Sequence, residues 1–367
     1  MSLAVDPQRG GGPRSWRGAS ALLALVLLAA CATVPPPPAA PAAAARPAPA
    51  RADGAPPAPW PQAAGEVLGR NERLLIYLPR AGDRLAAIAA RFLGSADRAW
   101  TIAELNAVTE AEAGVPLTVP LRPLNPLGVT AERIQTVPIL CYHRFGNGNS
   151  KMVISPARFE AQLDWLARND YRVIRLAELA EFLAGRRQLP ARSVVITIDD
   201  GYESVHRHAY PLLRKYGFPA TLFVYPDFIG AGDAMSWTQL RELTATGLFD
   251  IQSHSKSHRN LVDRAPDESD EQYRRNIDAE LRGSRSLLEA RLSGWRVDQI
   301  AYPFGDANLM VVDAAARHGY QLGLTVVPGG NAFFAQPLLL RRTMIFGDLD
   351  LDGFKARLQT QRSVQAP

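Results

Sequence analysis

A chain of 367 residues, 47% of them hydrophobic, is long enough for one large core with a smaller one beside it. Its 41 Lys and Arg against 36 Asp and Glu leave a net charge of +5, spread along the chain rather than gathered in a block. That spread argues against a nucleic-acid partner, which needs a concentrated basic face, and mild attraction to anionic polymers or lipid headgroups is enough to explain it.

At the N-terminus, Arg14 and Arg17 precede an apolar run at 19–30, the charge-then-hydrophobe order of an export signal. The run is too short to span a bilayer comfortably. It ends in Leu28-Ala29-Ala30-Cys31, which resembles the lipobox of bacterial lipoproteins. The resemblance implies a signal over 1–31, cleavage before Cys31 and membrane attachment through the lipidated Cys31. The implied location is the bacterial cell envelope and, if the cell is Gram-negative, the periplasmic face of the outer membrane, because Ala32 stands where an aspartate would favour inner-membrane retention. With Cys31 committed to lipid, Cys141 has no partner for an intramolecular disulfide.

Residues 32–70 are dominated at first by proline and alanine, with Pro35 to Pro38 consecutive, a composition that builds no core and predicts an extended linker. From 71 to 124 the pattern changes. A strand-like Leu74-Leu75-Ile76-Tyr77 is followed by Gly82-Asp83, which opens a helix with Leu85, Ile88, Ala89 and Phe92 on one face. A second helix around Trp100, Ile102 and Leu105 ends near Asn106, and 115–120 closes the segment as a strand. This strand-helix-helix-strand order, with Gly82-Asp83, Ile88-Ala89, Phe92, Asn106 and 117–120, resembles the LysM module. The resemblance implies a small α+β domain that binds peptidoglycan through residues 74–121. Two departures stand out: Arg84 replaces a commoner serine or threonine, and the loop after Asn106 is acidic.

From 136 to 365, apolar runs alternate with amphipathic helical patterns. Strands are predicted at 137–142, 171–174, 193–198, 220–225, 249–252, 299–302, 321–326 and 342–345. A helix is opened by Ser155-Pro156, with Phe159, Leu163 and Leu166 on one face. Such alternation predicts an α/β fold, a parallel sheet closed or nearly closed into a (β/α) barrel; an open doubly wound sheet would need a glycine-rich phosphate loop that the first strand lacks.

Barrel enzymes carry their reactive groups at the C-terminal ends of the strands. The apolar run 193–198 leads directly into Asp199-Asp200-Gly201-Tyr202. Two adjacent carboxylates there repel each other unless a cation compensates one of them, and Gly201 lets the chain turn so that both address one site. The run 249–252 leads into Ser253-His254-Ser255-Lys256-Ser257-His258, whose two histidines, four apart on a helical turn, can converge on one ion. Two neutral imidazoles and one carboxylate make a metal site with positions left for water and substrate. His206, His208 and His318 are assigned surface or structural roles.

With Ala301-Tyr302-Pro303-Phe304-Gly305, these stretches resemble the polysaccharide deacetylase (NodB-like) family, carbohydrate esterases with a distorted (β/α) barrel. The resemblance implies Asp199 as general base, Asp200, His254 and His258 as ligands of a divalent metal, usually Zn2+, and the Tyr302 backbone N–H at the oxyanion. Ala301 stands where many members have an arginine, and 322–327 lacks the histidine that commonly supplies the acid. Both departures resemble the subgroup acting on poly-N-acetylglucosamine, whose first strand ends in tyrosine-histidine, as Tyr142-His143 does here. His143 is therefore the expected general acid, and Arg341 or Arg342 is the candidate replacement for the absent arginine. The expected function is de-N-acetylation of peptidoglycan or poly-N-acetylglucosamine; the competing reading is a catalytically silent, glycan-binding lipoprotein.

Overall fold

The structure, a computed structural model, describes residues 63–364; the signal segment, Cys31 and most of the expected linker lie outside the described residues. No described helix is long and apolar enough to cross a membrane.

The small domain has the expected strand Leu74–Leu78, helices Leu85–Leu93 and Ala99–Asn106, and strand Leu117–Pro120. One strand was not expected. Glu66–Arg70 lies inside the stretch read as linker and pairs antiparallel with Leu74–Leu78, so the sheet has three strands. All five of its residues are exposed, so no buried face marks the sequence as a strand. Tyr77, Ile88, Ala89, Ile102 and Val119 are fully buried at the core of the domain.

Two residues behind the LysM resemblance are structural here. The buried Asp83 carboxylate accepts hydrogen bonds from the backbone N–H groups of Ala64 (2.7 Å), Gly65 (3.0 Å) and Arg80 (2.9 Å) and from the Tyr77 hydroxyl (2.7 Å). The Asn106 side chain donates to Ile102 O and Thr118 O and accepts from Thr118 N–H, each at 2.8 Å, pinning the second helix to the last strand.

In the large domain, a parallel path runs Leu322–Leu324, Gln299–Ala301, Phe249–Ser253, Ala220–Val224, Ser193–Ile198, Val137–Tyr142. Residues 340–345 join its two edges. Leu340 bridges Leu324 on one side, while Thr343–Met344 pairs in parallel with Leu140 and Cys141 on the other. The sheet therefore curls into a distorted barrel, as the strand-helix alternation predicts. The predicted strand at 171–174 shortens to Arg172–Val173, which pairs off the main path with Ser193–Ile198.

Strand alternation sorts the core into two layers. Leu140, Tyr142, Val194, Ile196, Ile198, Leu222 and Ile251 pack outward against the helices. Val137, Ile139, Val195, Phe223, Ala301 and Leu324 pack together in the interior with Leu176, Leu179 and Phe182 of the helix Leu176–Leu183. The helix Pro156–Arg168 begins as expected, with the Ser155 hydroxyl accepting Arg158 N–H and Phe159, Leu163 and Leu166 buried.

Candidate active site

The interior-facing series of the two central strands ends in reactive side chains. Val137, Ile139 and Cys141 are followed, two residues on, by His143; Val195 and Thr197 are followed by Asp199. Cys141 pairs with Thr197 across the strands. The two series therefore end side by side, and the polar atoms of Cys141, His143 and Asp199 lie within 4.8 Å of one another.

Asp200 would point the other way if the strand ran on. The backbone solves this with two consecutive left-handed residues, Asp200 at φ 75° and Gly201 at φ 90°. The turn assigned to Gly201 alone is thus shared by Asp200. A Cβ on Gly201 would stand 3.0 Å from side-chain atoms of Ile229 and of Val224, so the position also needs a residue without one.

The histidines converge, but not by the expected helical turn. His254 prolongs the strand Phe249–Ser253, and residues 254–258 form an irregular loop with Ser255 at φ 61° and His258 at φ 63°. The Ser255 hydroxyl accepts the His258 N–H at 3.0 Å, closing that loop. Left-handed residues fold the chain back on itself where a helix would have used its periodicity. Among the described residues, four of the six non-glycine residues with positive φ (Asp200, Ser255, His258 and Phe304) belong to this site. Each costs about 1–3 kcal/mol, and such strain collects where geometry serves chemistry rather than stability.

Asp200 Oδ1 lies 3.3 Å from His258 Nε2 and 3.5 Å from His254 Nε2. Among the described residues, no other donor bonds to this carboxylate. His254 Nδ1 lies 2.7 Å from the Ala301 carbonyl oxygen, which can only accept, so Nδ1 carries the proton and a neutral His254 presents its Nε2 lone pair to Asp200. A lone pair facing a buried carboxylate requires a cation between them or a second proton on the ring. Burial works against charge on His254, but Asp199 and Asp200 outweigh it and raise its proton affinity. Burial likewise opposes the charge on Asp200, yet His254 and His258 hold it far below the usual carboxylate range. A divalent metal ion fits this donor set of two imidazoles and one carboxylate, whose ligand atoms all lie within 4.8 Å of one another.

Asp199 has a different partner. The guanidinium of Arg342, fully buried on the segment that closes the barrel, donates from Nη1 to Asp199 Oδ1 at 2.7 Å and from Nε to Thr325 O at 2.9 Å. Arg341 points away and bonds Pro328 O. Of the two candidate replacements for the arginine absent at Ala301, Arg342 is the one that reaches Asp199, from 143 residues along the chain. Burial raises the Asp199 carboxyl pKa, but Arg342, His254 and His143 outweigh it, and the net shift is downward. The other oxygen, Oδ2, faces the Cys141 thiol at 3.4 Å and His254 Nε2 at 3.9 Å.

One expected role is corrected by the backbone. The Tyr302 N–H donates to Leu324 O at 3.0 Å within the sheet, and its hydroxyl donates to Leu338 O at 2.9 Å. Tyr302 is therefore a buried structural residue whose amide is already engaged. Two residues on, Phe304 at φ 60° sets its ring 5.0 Å from that of His258, with Tyr225 on another side at 4.9 Å. The main-chain donor that this turn can offer near the imidazoles belongs to Phe304. His206 and His318 engage Glu242 and Asp278, apart from this cluster.

Residues 186–323 match the family model for polysaccharide deacetylase. YxkH of Bacillus subtilis, named as a polysaccharide deacetylase, is 29% identical over 234 residues, 64% of this chain and 80% of that protein. Poly-beta-1,6-N-acetyl-D-glucosamine N-deacetylase of Staphylococcus aureus is 29% identical over 197 residues, covering 51% of this chain and 67% of that one. Among solved structures, IcaB from Ammonifex degensii superposes with a TM-score of 0.56 at 28% identity, over 61% of this chain and 97% of that one. The family match spans both aspartates, both histidines and Tyr302 but stops short of His143 and Arg342, which the barrel alone brings to the site. In this match, in these relatives and in the shared fold, the barrel is similar to the polysaccharide deacetylases.

Proposed function

We propose that the chain hydrolyses the N-acetyl groups of a poly-N-acetylglucosamine polymer at a bacterial envelope, with Zn2+ held by Asp200, His254 and His258. The observation that carries this reading is the convergence of two imidazole Nε2 atoms on one buried carboxylate, 3.3 and 3.5 Å from Asp200 Oδ1, beside a second buried carboxylate that they do not share at that distance. A bound divalent ion supplies an acidified water and polarises the acetamide carbonyl.

The chain's own groups account for the proton. With Oδ1 engaged by Arg342, Asp199 accepts the proton of the attacking water on Oδ2 and stays ionised at neutral pH to do so. Burial lowers the pKa of His143 more than Asp199 and Asp200 raise it, so its resting imidazole is neutral. His143 therefore acts as general acid only after receiving the proton taken from water, which it passes to the leaving nitrogen. Acetic acid and a free amine result, equivalent to acetate and an ammonium group once the remaining water proton moves between them, with no net proton left on the protein. The Phe304 N–H is the main-chain donor for the tetrahedral oxyanion.

Three observations support the choice of polymer and location. The Staphylococcus aureus relative is named for poly-beta-1,6-N-acetyl-D-glucosamine. Ala301 and the histidine-free 322–327 depart from the commoner family pattern in the way that subgroup does. The export signal, the lipobox at Cys31 and the LysM-like domain at 71–124 favour an envelope-tethered protein that grips peptidoglycan while acting on another glycan.

Acetate release should be measured on β-1,6-linked N-acetylglucosamine oligomers, peptidoglycan fragments and chitin oligomers after chelation and again after Zn2+ reloading. The expected result is metal-dependent release that is fastest on the β-1,6-linked oligomers. Faster release from peptidoglycan would move the substrate assignment. No release from any of them by the Zn2+-loaded protein would leave a glycan-binding lipoprotein.

A further inference from the structure

The loop that carries the second histidine is strained at Ser255 and His258, yet its own internal hydrogen bonding is slight. What holds it comes from the long helix Asp270–Arg291 packed alongside. Glu280, on the face of that helix next to the buried Ile277, Leu281 and Ser284, directs its carboxylate into the loop. Oε2 accepts the backbone N–H groups of Lys256 and Ser257, each at 2.9 Å, and Oε1 accepts the Ser257 hydroxyl at 2.7 Å. Two consecutive amides on one carboxylate oxygen form a clamp, and charge-assisted bonds of this kind are about twice as strong as neutral ones.

A second restraint closes the loop from the other side. Lys256 Nζ lies 2.8 Å from both oxygens of Asp227, and the Asp227 N–H donates to Lys256 O at 3.2 Å. The Lys256 stem passes Gly283 so closely that a Cβ there would stand 3.0 Å from Lys256 Cδ. The common effect of these contacts is to fix residues 256 and 257, the two linking the left-handed Ser255 to the left-handed His258.

We infer that Glu280 is a positioning residue for the metal site: it holds residues 255–258 in the strained path that aims His258 Nε2 at Asp200, and so sets the affinity for the ion. His254 is placed by its strand and by Ala301 O, and Asp200 by the left-handed turn it forms with Gly201; His258 is the ligand whose place depends on a carboxylate from another element. Outer residues that orient ligands typically change metal affinity by about 10–100-fold when replaced.

This inference rests on the metal-site reading above, and its test separates the two. The metal-stripped full chain and the variants Glu280→Gln and Glu280→Ala are titrated with Zn2+ against a fluorescent chelator, and the melting temperature of each stripped protein is recorded. Glu280→Gln preserves volume but leaves one acceptor oxygen where there were two. The expected result is affinity weaker by about tenfold for Gln and more for Ala. Both stripped variants should stay folded at 25 °C, with acetate release restored by excess Zn2+. Wild-type affinity in a folded variant would overturn the inference while leaving the site assignment standing. So would lost activity that saturating Zn2+ does not restore. Failure of the wild-type chain to bind Zn2+ would overturn both.

Discussion

Two buried aspartates, one in each domain, show how differently a carboxylate can be used. Asp83 in the small domain and Asp200 in the barrel are 8% and 7% exposed, and both have pKa values below the usual carboxylate range. Asp83 achieves this with four short hydrogen bonds from three backbone amides and a tyrosine hydroxyl, all oriented towards it. Asp200 has only two imidazoles, at distances too long for good hydrogen bonds and with one lone pair directed at it. The first carboxylate is satisfied by its own fold and stabilises it. The second is left short of partners in a strained setting, which is the mark of a group arranged for a ligand.

Replacement of the two aspartates should therefore have opposite signatures. Asp200→Ala should lower acetate release by on the order of 10³-fold, matching the loss of several kcal/mol of metal-derived stabilisation, and should abolish metal retention through gel filtration. A variant that kept its metal would remove Asp200 from the ligand set. Asp199→Asn and His143→Asn should each cost about 10²–10⁴-fold in kcat with metal content unchanged, the range for a lost acid or base. Undiminished turnover in His143→Asn would return that residue to a hydrogen-bonding role at the barrel rim.

Arg342→Met turns Asp199 into a buried carboxylate without its cation. Urea unfolding should show a loss of about 3–5 kcal/mol. The sign with pH follows from the lowered pKa of Asp199. Its contribution to stability is complete above the unfolded value of about 3.9 and is lost as pH falls through the lower folded value. In the variant, Asp199 protonates at higher pH, so the acid limb of the activity profile should move up; an unmoved limb would mean that Asp199 is not the base. Asp83→Ala is the mildest for chemistry. It should destabilise the small domain by about 1–3 kcal/mol, by thermal or urea unfolding, while acetate release from a soluble oligomer changes less than twofold.

Much of this arrangement could be read from residues alone, for identifiable reasons. The strands at 193–198 and 249–253 are apolar runs ending abruptly in Asp-Asp-Gly and His-x-x-x-His, and a barrel places such ends together. Strand existence was legible while extent was not: 171–174 keeps two paired residues because most of it lies off the main path of the sheet. Glu66–Arg70 was invisible because nothing on it is buried. The choice between Arg341 and Arg342 depended on which of two neighbours faces inward, and a closing strand of two residues carries too little alternation to decide it. Cys141 could have been found, since it stands two residues before His143 on the same face. The left-handed Asp200, Ser255, His258 and Phe304 had no signal, because non-glycine residues enter that region only when their surroundings force them. For the same reason the sequence does not reveal that the Tyr302 amide, the expected oxyanion donor, is engaged by the sheet.

The most direct test is a crystal of the full chain soaked with Zn2+ and measured at the zinc absorption edge. A single strong anomalous peak is expected within about 2.0–2.2 Å of Asp200 Oδ1, His254 Nε2 and His258 Nε2, with Asp199 outside the coordination sphere and still paired with Arg342. A peak elsewhere, or no peak while these side chains hold their positions, would contradict the account.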